Sequence, residues 1–225
     1  VIVAIDGPAG AGKSSLSAML ARELGFSLID TGAMYRSVAL QALKAGVDLR
    51  DGDALGAIAS ALDIDFHFEG GRNHVYLGGV DVSEAIRTAE VSREASRVSA
   101  FREVREALVD AQRRLGARGD VVMEGRDIGT HVFPTADVKL FLTASVDERA
   151  RRRVAELRAK GAEAALDDVR REIEERDHRD STREVAPLRQ AADAVLVDTT
   201  GMTQDAVLAA MLDVVRHRRA VPSTS

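Results

Sequence analysis

The chain contains no cysteine. That excludes a disulfide framework, a thiolate nucleophile and a cysteine-built zinc site, and it suits a reducing cytoplasm. No stretch is long and apolar enough to span a bilayer. The first apolar run is short and ends in Asp6, so it is no secretory leader. Positive charge is not in excess: the net charge is −5 over 225 residues, which argues against nucleic acid or an anionic membrane as partner. Low-complexity tracts and internal repeats are absent. The five histidines are scattered, none at metal-ligand spacing, and there is no Asn-Lys-x-Asp guanine motif. No long apolar heptad and no exposed apolar strand edge stands out, which favours a monomer. The opening residue, Val1, implies that an initiator segment precedes it, and the tail Ala220–Ser225 reads as a frayed end.

What the chain does contain is apolar content of 45%, enough for a packed globule. Short apolar runs at Val1–Asp6, Ser27–Asp30, Asp120–Glu124, Val138–Ala144 and Ala194–Asp198 have the character of buried parallel strands. Helical patterns separate them, which predicts an α/β fold with a five-stranded parallel sheet wound with helices. The last helix shows Val207, Leu208, Met211, Leu212 and Val215 on one face.

Two segments interrupt the alternation. Between Ile64 and Val82 the period drops to two, with turns at Gly70-Gly71 and Gly78-Gly79, as in a small antiparallel meander. A helix-like stretch over Asp53–Leu62 leads into it, so the two form an insertion between the second and third parallel strands. The second interruption, Asp147–Glu184, holds ten Arg and one Lys against twelve acids. That near balance excludes a plain polyanion-binding strip and predicts a solvated helical excursion with specific ion pairs, broken at Lys160-Gly161. Such an excursion next to a phosphate site suits a mobile lid.

The phosphate site is the strongest local signal. Gly7-Pro8-Ala9-Gly10-Ala11-Gly12-Lys13-Ser14 fits G-x-x-x-x-G-K-[ST], the P-loop. A strand precedes it. Leu16, Met19, Leu20 and Leu24 follow at helical spacing, with Gly25 at a C-cap position. The glycines let the backbone curl around phosphate, and the helix N-terminus adds positive potential. Lys13 can reach the β- and γ-phosphates, and the Ser14 hydroxyl can ligate magnesium.

Other constellations lie at strand ends. Thr31 can cap the helix after Asp30 or contact phosphate, and Arg36 follows one turn in. In Glu124-Gly125-Arg126-Asp127, Arg126 can fork onto a phosphate. Asp127 can accept from an exocyclic amine or merely pair with Arg126. Arg176, Arg179, Asp180 and Arg183 recur at helical steps, either as an exposed ion-paired face or as a hinge delivering guanidinium groups to a moving phosphoryl group.

Taken together, these segments resemble bacterial-type cytidylate kinases, nucleoside monophosphate kinases of the P-loop class. The resemblance runs from Val1 to about Val215. It is carried by Ile5–Ser14, Asp30–Arg36, Gly125–Gly129, Val132-Phe-Pro134, Glu175–Asp180 and Val185–Leu188. It implies a core of 1–35, 100–146 and 185–225, a monophosphate-binding insert of 36–99 and a lid of 147–184. It also implies γ-phosphoryl transfer from ATP, with Mg2+, to CMP or dCMP. By position, Gly7 to Ser15 would hold ATP. Thr31, Tyr35, Arg36 and Arg126 would surround the acceptor phosphate. Ser96, Arg105 and Asp127 would read cytosine. Asp180 would hold the sugar with help from Arg183, and Arg176 would reach phosphates from the lid. Lys13, Arg126, Arg176 and Arg183 would carry catalysis. Family members often have Ser where Thr31 stands, which keeps the hydroxyl. They often have Gly where Ser14 stands, so Ser14 and Ser15 both offer a hydroxyl for magnesium, with Ser14 preferred.

Overall fold

A computed structural model describes residues 1–69, 72–159 and 161–220. Its centre is a parallel sheet of β1 (Ile2–Asp6), β2 (Ser27–Asp30), β6 (Val121–Glu124), β7 (Val138–Thr143) and β8 (Val195–Asp198), in the spatial order β2-β6-β1-β7-β8. The three central strands are almost wholly buried, which is why their sequences read as continuous apolar runs rather than alternating ones. Each predicted strand is present within one or two residues of its expected limits.

Helices cover both faces. α1 (Lys13–Leu24) and α8 (Gln204–Ala220) pack on one, through Leu16, Leu20, Val207, Met211 and Val215. The other face carries α2 (Thr31–Ala45) and α5 (Arg102–Gly116), with α3 (Gly52–Ser60) and α4 (Ala89–Val98) outside them. Gly25 ends α1 in the left-handed conformation, φ 69°, its N–H directed to the carbonyls of Ala21 and Arg22.

The period-two segment forms its own antiparallel sheet of β3 (Ile64–Glu69), β4 (Arg72–Leu77) and β5 (Val80–Asp81). The register runs from Ile64 opposite Leu77 to Glu69 opposite Arg72. The expected Gly70-Gly71 turn lies outside the described residues. Ile64, Val75 and Leu77 turn inward and join the core beneath α2.

The arginine-rich excursion is a helix pair, α6 (Val146–Ala159) and α7 (Leu166–Thr182). Of the expected break, Lys160 lies outside the described residues and Gly161 has φ 78°. The pair buries only a small cluster of its own, Ala150, Val154, Val169 and Ile173, separate from the main core. So little apolar burial leaves the helix pair weakly secured by hydrophobic contact among the described residues. Among the described residues no helix is long and apolar enough to cross a membrane.

Candidate active site

All five parallel strands end at one edge, and the polar residues that close them face each other there. Asp6 closes β1, Asp30 β2 and Glu124 β6, and all three are buried. Open α/β sheets bind ligands at this edge because strand ends and helix N-termini converge on it.

The glycine loop spans the gap from Asp6 to α1. Gly7, Gly10 and Gly12 have φ of 148°, 77° and 87°. A Cβ on Gly7 would lie 2.0 Å from the Leu142 carbonyl oxygen, so no side chain fits there. The Lys13 ammonium folds back over the loop and donates to the Pro8 carbonyl at 2.8 Å. Burial, then the nearby Arg126 and Arg176, push its pKa well below the usual lysine range, against the pull of Glu124 and Asp6. The Ser14 hydroxyl lies beside the Glu124 carboxylate and favours its charged form. Ser15 is exposed on the next position.

Glu124 is an unusual acid. Burial, and then the adjacent Asp30 charge, push its pKa up to about 7. Its Oε1 has no hydrogen-bond partner among the described residues. A buried orphan carboxylate oxygen beside a P-loop hydroxyl is the donor chemistry that a hard divalent cation takes, so the residues present fit magnesium.

Across from the loop lies a second charged cleft. Arg36 pairs with Asp30 at 2.7 Å, and its Nε has no partner among the described residues. Arg126 donates from Nε to Asp180 at 2.9 Å. Burial works against the Asp180 charge, but Arg126 and Arg176 outweigh it and hold its pKa low. Arg176 is pushed down to about 10, first by burial and then by Arg126. Such mutual repulsion among buried cations is relieved by an anion.

Deeper in, Arg105 is 1% exposed and pairs with Asp127. Arg183 donates to the other Asp127 oxygen at 3.3 Å. The Arg105 guanidinium lies 5.6 Å from the centre of the Tyr35 ring. The Ser96 hydroxyl and Arg105 Nε are buried with no partner among the described residues. Buried donors left without a partner in a native fold call for one, and a polar ligand can supply it.

Several sequence expectations change in detail. Thr31 does not cap α2: Asp30 does, accepting from the Ala33 N–H at 2.9 Å. The Thr31 hydroxyl donates instead to the Glu124 carbonyl at 2.7 Å, stitching β2 to β6. Asp127 pairs with Arg105 and Arg183, not with Arg126. Arg183 lies just past the end of α7, and Arg179 is exposed, so the cleft receives Arg176, Asp180 and Arg183 from that cluster.

Three residues at the site, Asp6, Arg149 and Arg152, escaped the sequence reading. Glu124 reads in sequence with Arg126 and Asp127 as a strand-end set suited to a second anionic substrate, but not as a partner of the P-loop hydroxyl. Arg149, 4% exposed on α6, donates to the Ala9 and Ala144 carbonyls, each at 3.0 Å, and pairs with Asp177 of α7 at 2.6 Å. It therefore ties the glycine loop to both helices of the arginine-rich pair. Arg152 donates to the Thr199 carbonyl at 2.7 Å. In sequence these two arginines are indistinguishable from their exposed neighbours. Only a polar residue closing each apolar run marked Asp6 and Glu124.

A P-loop facing a second anion cleft, beneath an arginine-bearing helix pair, defines a phosphotransferase of the P-loop kinase class. A family model described as cytidylate kinase matches residues 3–217. The cytidylate kinase of Syntrophotalea carbinolica is 53% identical over 221 residues, covering 98% of this chain and 94% of its own length. That of Shouchella clausii is 49% identical over 215 residues, with 96% of each covered. The chain belongs to the cytidylate kinase family. Among solved structures, a gluconokinase from Sinorhizobium meliloti aligns over 97% of this chain and 93% of its own at TM-score 0.50 and 14% identity. An uncharacterized Eubacterium ventriosum protein covers 96% of this chain and 98% of its own at TM-score 0.52 and 10% identity. These two likenesses concern the fold alone.

Proposed function

We propose that the protein transfers the γ-phosphoryl group of ATP to CMP or dCMP, giving CDP or dCDP and ADP. The observation that carries the acceptor assignment is Asp127, buried between Arg105 and Arg183. Cytosine presents an exocyclic amino donor where uracil presents a carbonyl acceptor. A carboxylate therefore favours cytosine and sets acceptor against acceptor with uracil.

The residues divide by task. Gly7, Pro8, Ala9, Gly10, Ala11, Gly12, Lys13, Ser14 and Ser15 hold ATP. Thr31, Tyr35, Arg36 and Arg126 surround the acceptor phosphate. Ser96, Arg105 and Asp127 read the base, while Asp180 and Arg183 hold the sugar. Lys13, Arg126, Arg176 and Arg183 act on the moving group. An acceptor phosphate oxygen, already anionic, forms the new bond to Pγ as the bond from Pγ to the bridging oxygen breaks. That electron pair leaves with ADP, and no general base is needed. Catalysis is then positioning and charge neutralisation. Magnesium, held by Ser14 beside Glu124, would supply charge neutralisation on the β- and γ-phosphates.

We divide the chain into a core of 1–35, 100–146 and 185–225, an acceptor-binding insert of 36–99 and a lid of 147–184. The separate small core of α6 and α7 supports the lid. We further infer a cytoplasmic monomer in pyrimidine nucleotide metabolism, with no nucleic-acid or membrane partner. The net charge of −5 is in keeping with this, and edge strand β8 exposes a single apolar residue, Leu196, at 53%.

The test is ADP release from MgATP with CMP, dCMP, UMP, AMP and GMP offered separately. Turnover confined to CMP and dCMP is expected. Turnover with another monophosphate would void the base assignment, and ATP binding without acceptor-dependent release would replace the kinase by a nucleotide switch.

A further inference from the structure

The loop carrying Arg126 and Asp127 is fastened on both sides, and one fastening is a side chain from another strand. Before the pair, the Gly125 N–H donates to the Ile5 carbonyl at 2.9 Å. After it, the chain enters a single wide turn, Ile128–Val132, of π type. Asp127 occupies the cap position of that turn, where an aspartate ordinarily accepts from the first free amides. Its side chain makes no such bond. The amides of Ile128 and Gly129 donate instead to Asp6, at 2.7 Å to Oδ1 and 2.8 Å to Oδ2.

Asp6 is 4% exposed at the end of β1. Its approach is close: a Cβ on Gly129 would lie 3.4 Å from Asp6 Oδ2 and 3.1 Å from Lys139 Cδ. Burying a carboxylate is unfavourable, and these two amides offset part of that cost, burial still raising the Asp6 pKa to about 6.

We infer that Asp6 is a positioning residue for acceptor choice. By capping the turn from across the sheet, it leaves the Asp127 carboxylate free to meet Arg105, Arg183 and the acceptor base. Without Asp6, the Gly129 amide, second in the turn, is left for the cap residue Asp127 to accept from, and a capping Asp127 would turn from the base. The inference rests on the reading of Asp127 as the group that selects cytosine.

Asp6→Asn is the informative variant. Asparagine keeps one acceptor but sets an NH2 donor against the second amide. The readouts are kcat/KM for CMP and for UMP, KM for ATP, and the same values in an Asp127→Ala background. The CMP-to-UMP ratio is expected to fall about tenfold, as for a lost charge-assisted hydrogen bond, with KM for ATP within about twofold. In the Asp127→Ala background Asp6→Asn is expected to leave the ratio unchanged, because residues that act as one unit are not additive. An intact ratio in Asp6→Asn, or additive losses in the double variant, would overturn the inference. A wild type that does not prefer CMP to UMP would instead overturn the acceptor assignment beneath it. Should Asp6→Asn not fold, amide exchange in the wild type decides: slow exchange at Ile128 and Gly129 is expected, and exchange at unprotected loop rates refutes the anchoring.

Discussion

Glu124→Gln should stabilise the metal-free protein while disabling it. Glu124 is buried, with its pKa pushed from 4.5 up to about 7 by burial and by Asp30. An acid with a raised native pKa binds its proton more readily folded than unfolded. Stability therefore falls as pH climbs through that interval, and the whole penalty persists above it. From 4.5 to about 7, at about 1.36 kcal/mol per pH unit, the penalty is about 3 kcal/mol. Glutamine keeps the volume and an acceptor for the Ser14 hydroxyl, and it removes the charge facing Asp30. Urea unfolding in EDTA should show the variant about 3 kcal/mol more stable near pH 8, or roughly 6–12 °C in Tm for a chain of this size. The gap should close near pH 4, where Glu124 is protonated in both states. Phosphoryl transfer should fall by about 100-fold or more, as for loss of one electrostatic group. A gap that does not change with pH, or a variant less stable at pH 8, would refute the account of Glu124 as a strained charge.

Other outcomes follow from the same geometry. Lys13→Ala should abolish transfer yet fold normally, because the buried ammonium carries a desolvation penalty rather than a stabilising pair; circular dichroism with the ADP-release assay checks both, and retained turnover would contradict the P-loop assignment. Asp127→Ala should lower kcat/KM for CMP far more than for UMP, and it should also destabilise the fold by about 3–5 kcal/mol, since Arg105 and Arg183 lose their shared counter-ion. Equal kinetic loss on both nucleotides would sink the base-reading role.

The sheet was legible because buried parallel strands are apolar throughout, and the P-loop because its parts are contiguous. Legibility failed where a role depends on residues distant in sequence. Asp127 meets Arg105 and Arg183, 22 and 56 positions away, whereas its adjacent Arg126 turns to Asp180. Asp30 and Thr31 are both good caps by residue type, and only the approach of β6 draws the Thr31 hydroxyl away. Arg149 and Arg151 stand two positions apart in one charge run, yet Arg149 is buried against the glycine loop while Arg151 meets solvent. Helical phase distinguishes such neighbours only once the partner surface is known.

The cations at the cleft carry one more consequence. Lys13 and Arg176 are both pushed down, first by burial and then by Arg126, so the ligand-free site disfavours the charged form of each. Lys13, far below the usual lysine range, is the member that can lose its proton at alkaline pH, because arginine stays charged. Nucleotide phosphates beside the ammonium favour its charged form. Binding of metal-free ATP at mildly alkaline pH, where the nucleotide is already ionised, should therefore take protons up from solution. Calorimetry in buffers of different ionisation enthalpy measures that uptake directly. Lys13→Arg should bind ATP without it, and Glu124→Gln should retain it, which separates the lysine from the neighbouring acid. Binding enthalpies independent of buffer would mean that Lys13 is fully charged before ATP arrives, and the picture of a cation cluster held apart by its own repulsion would fail with it.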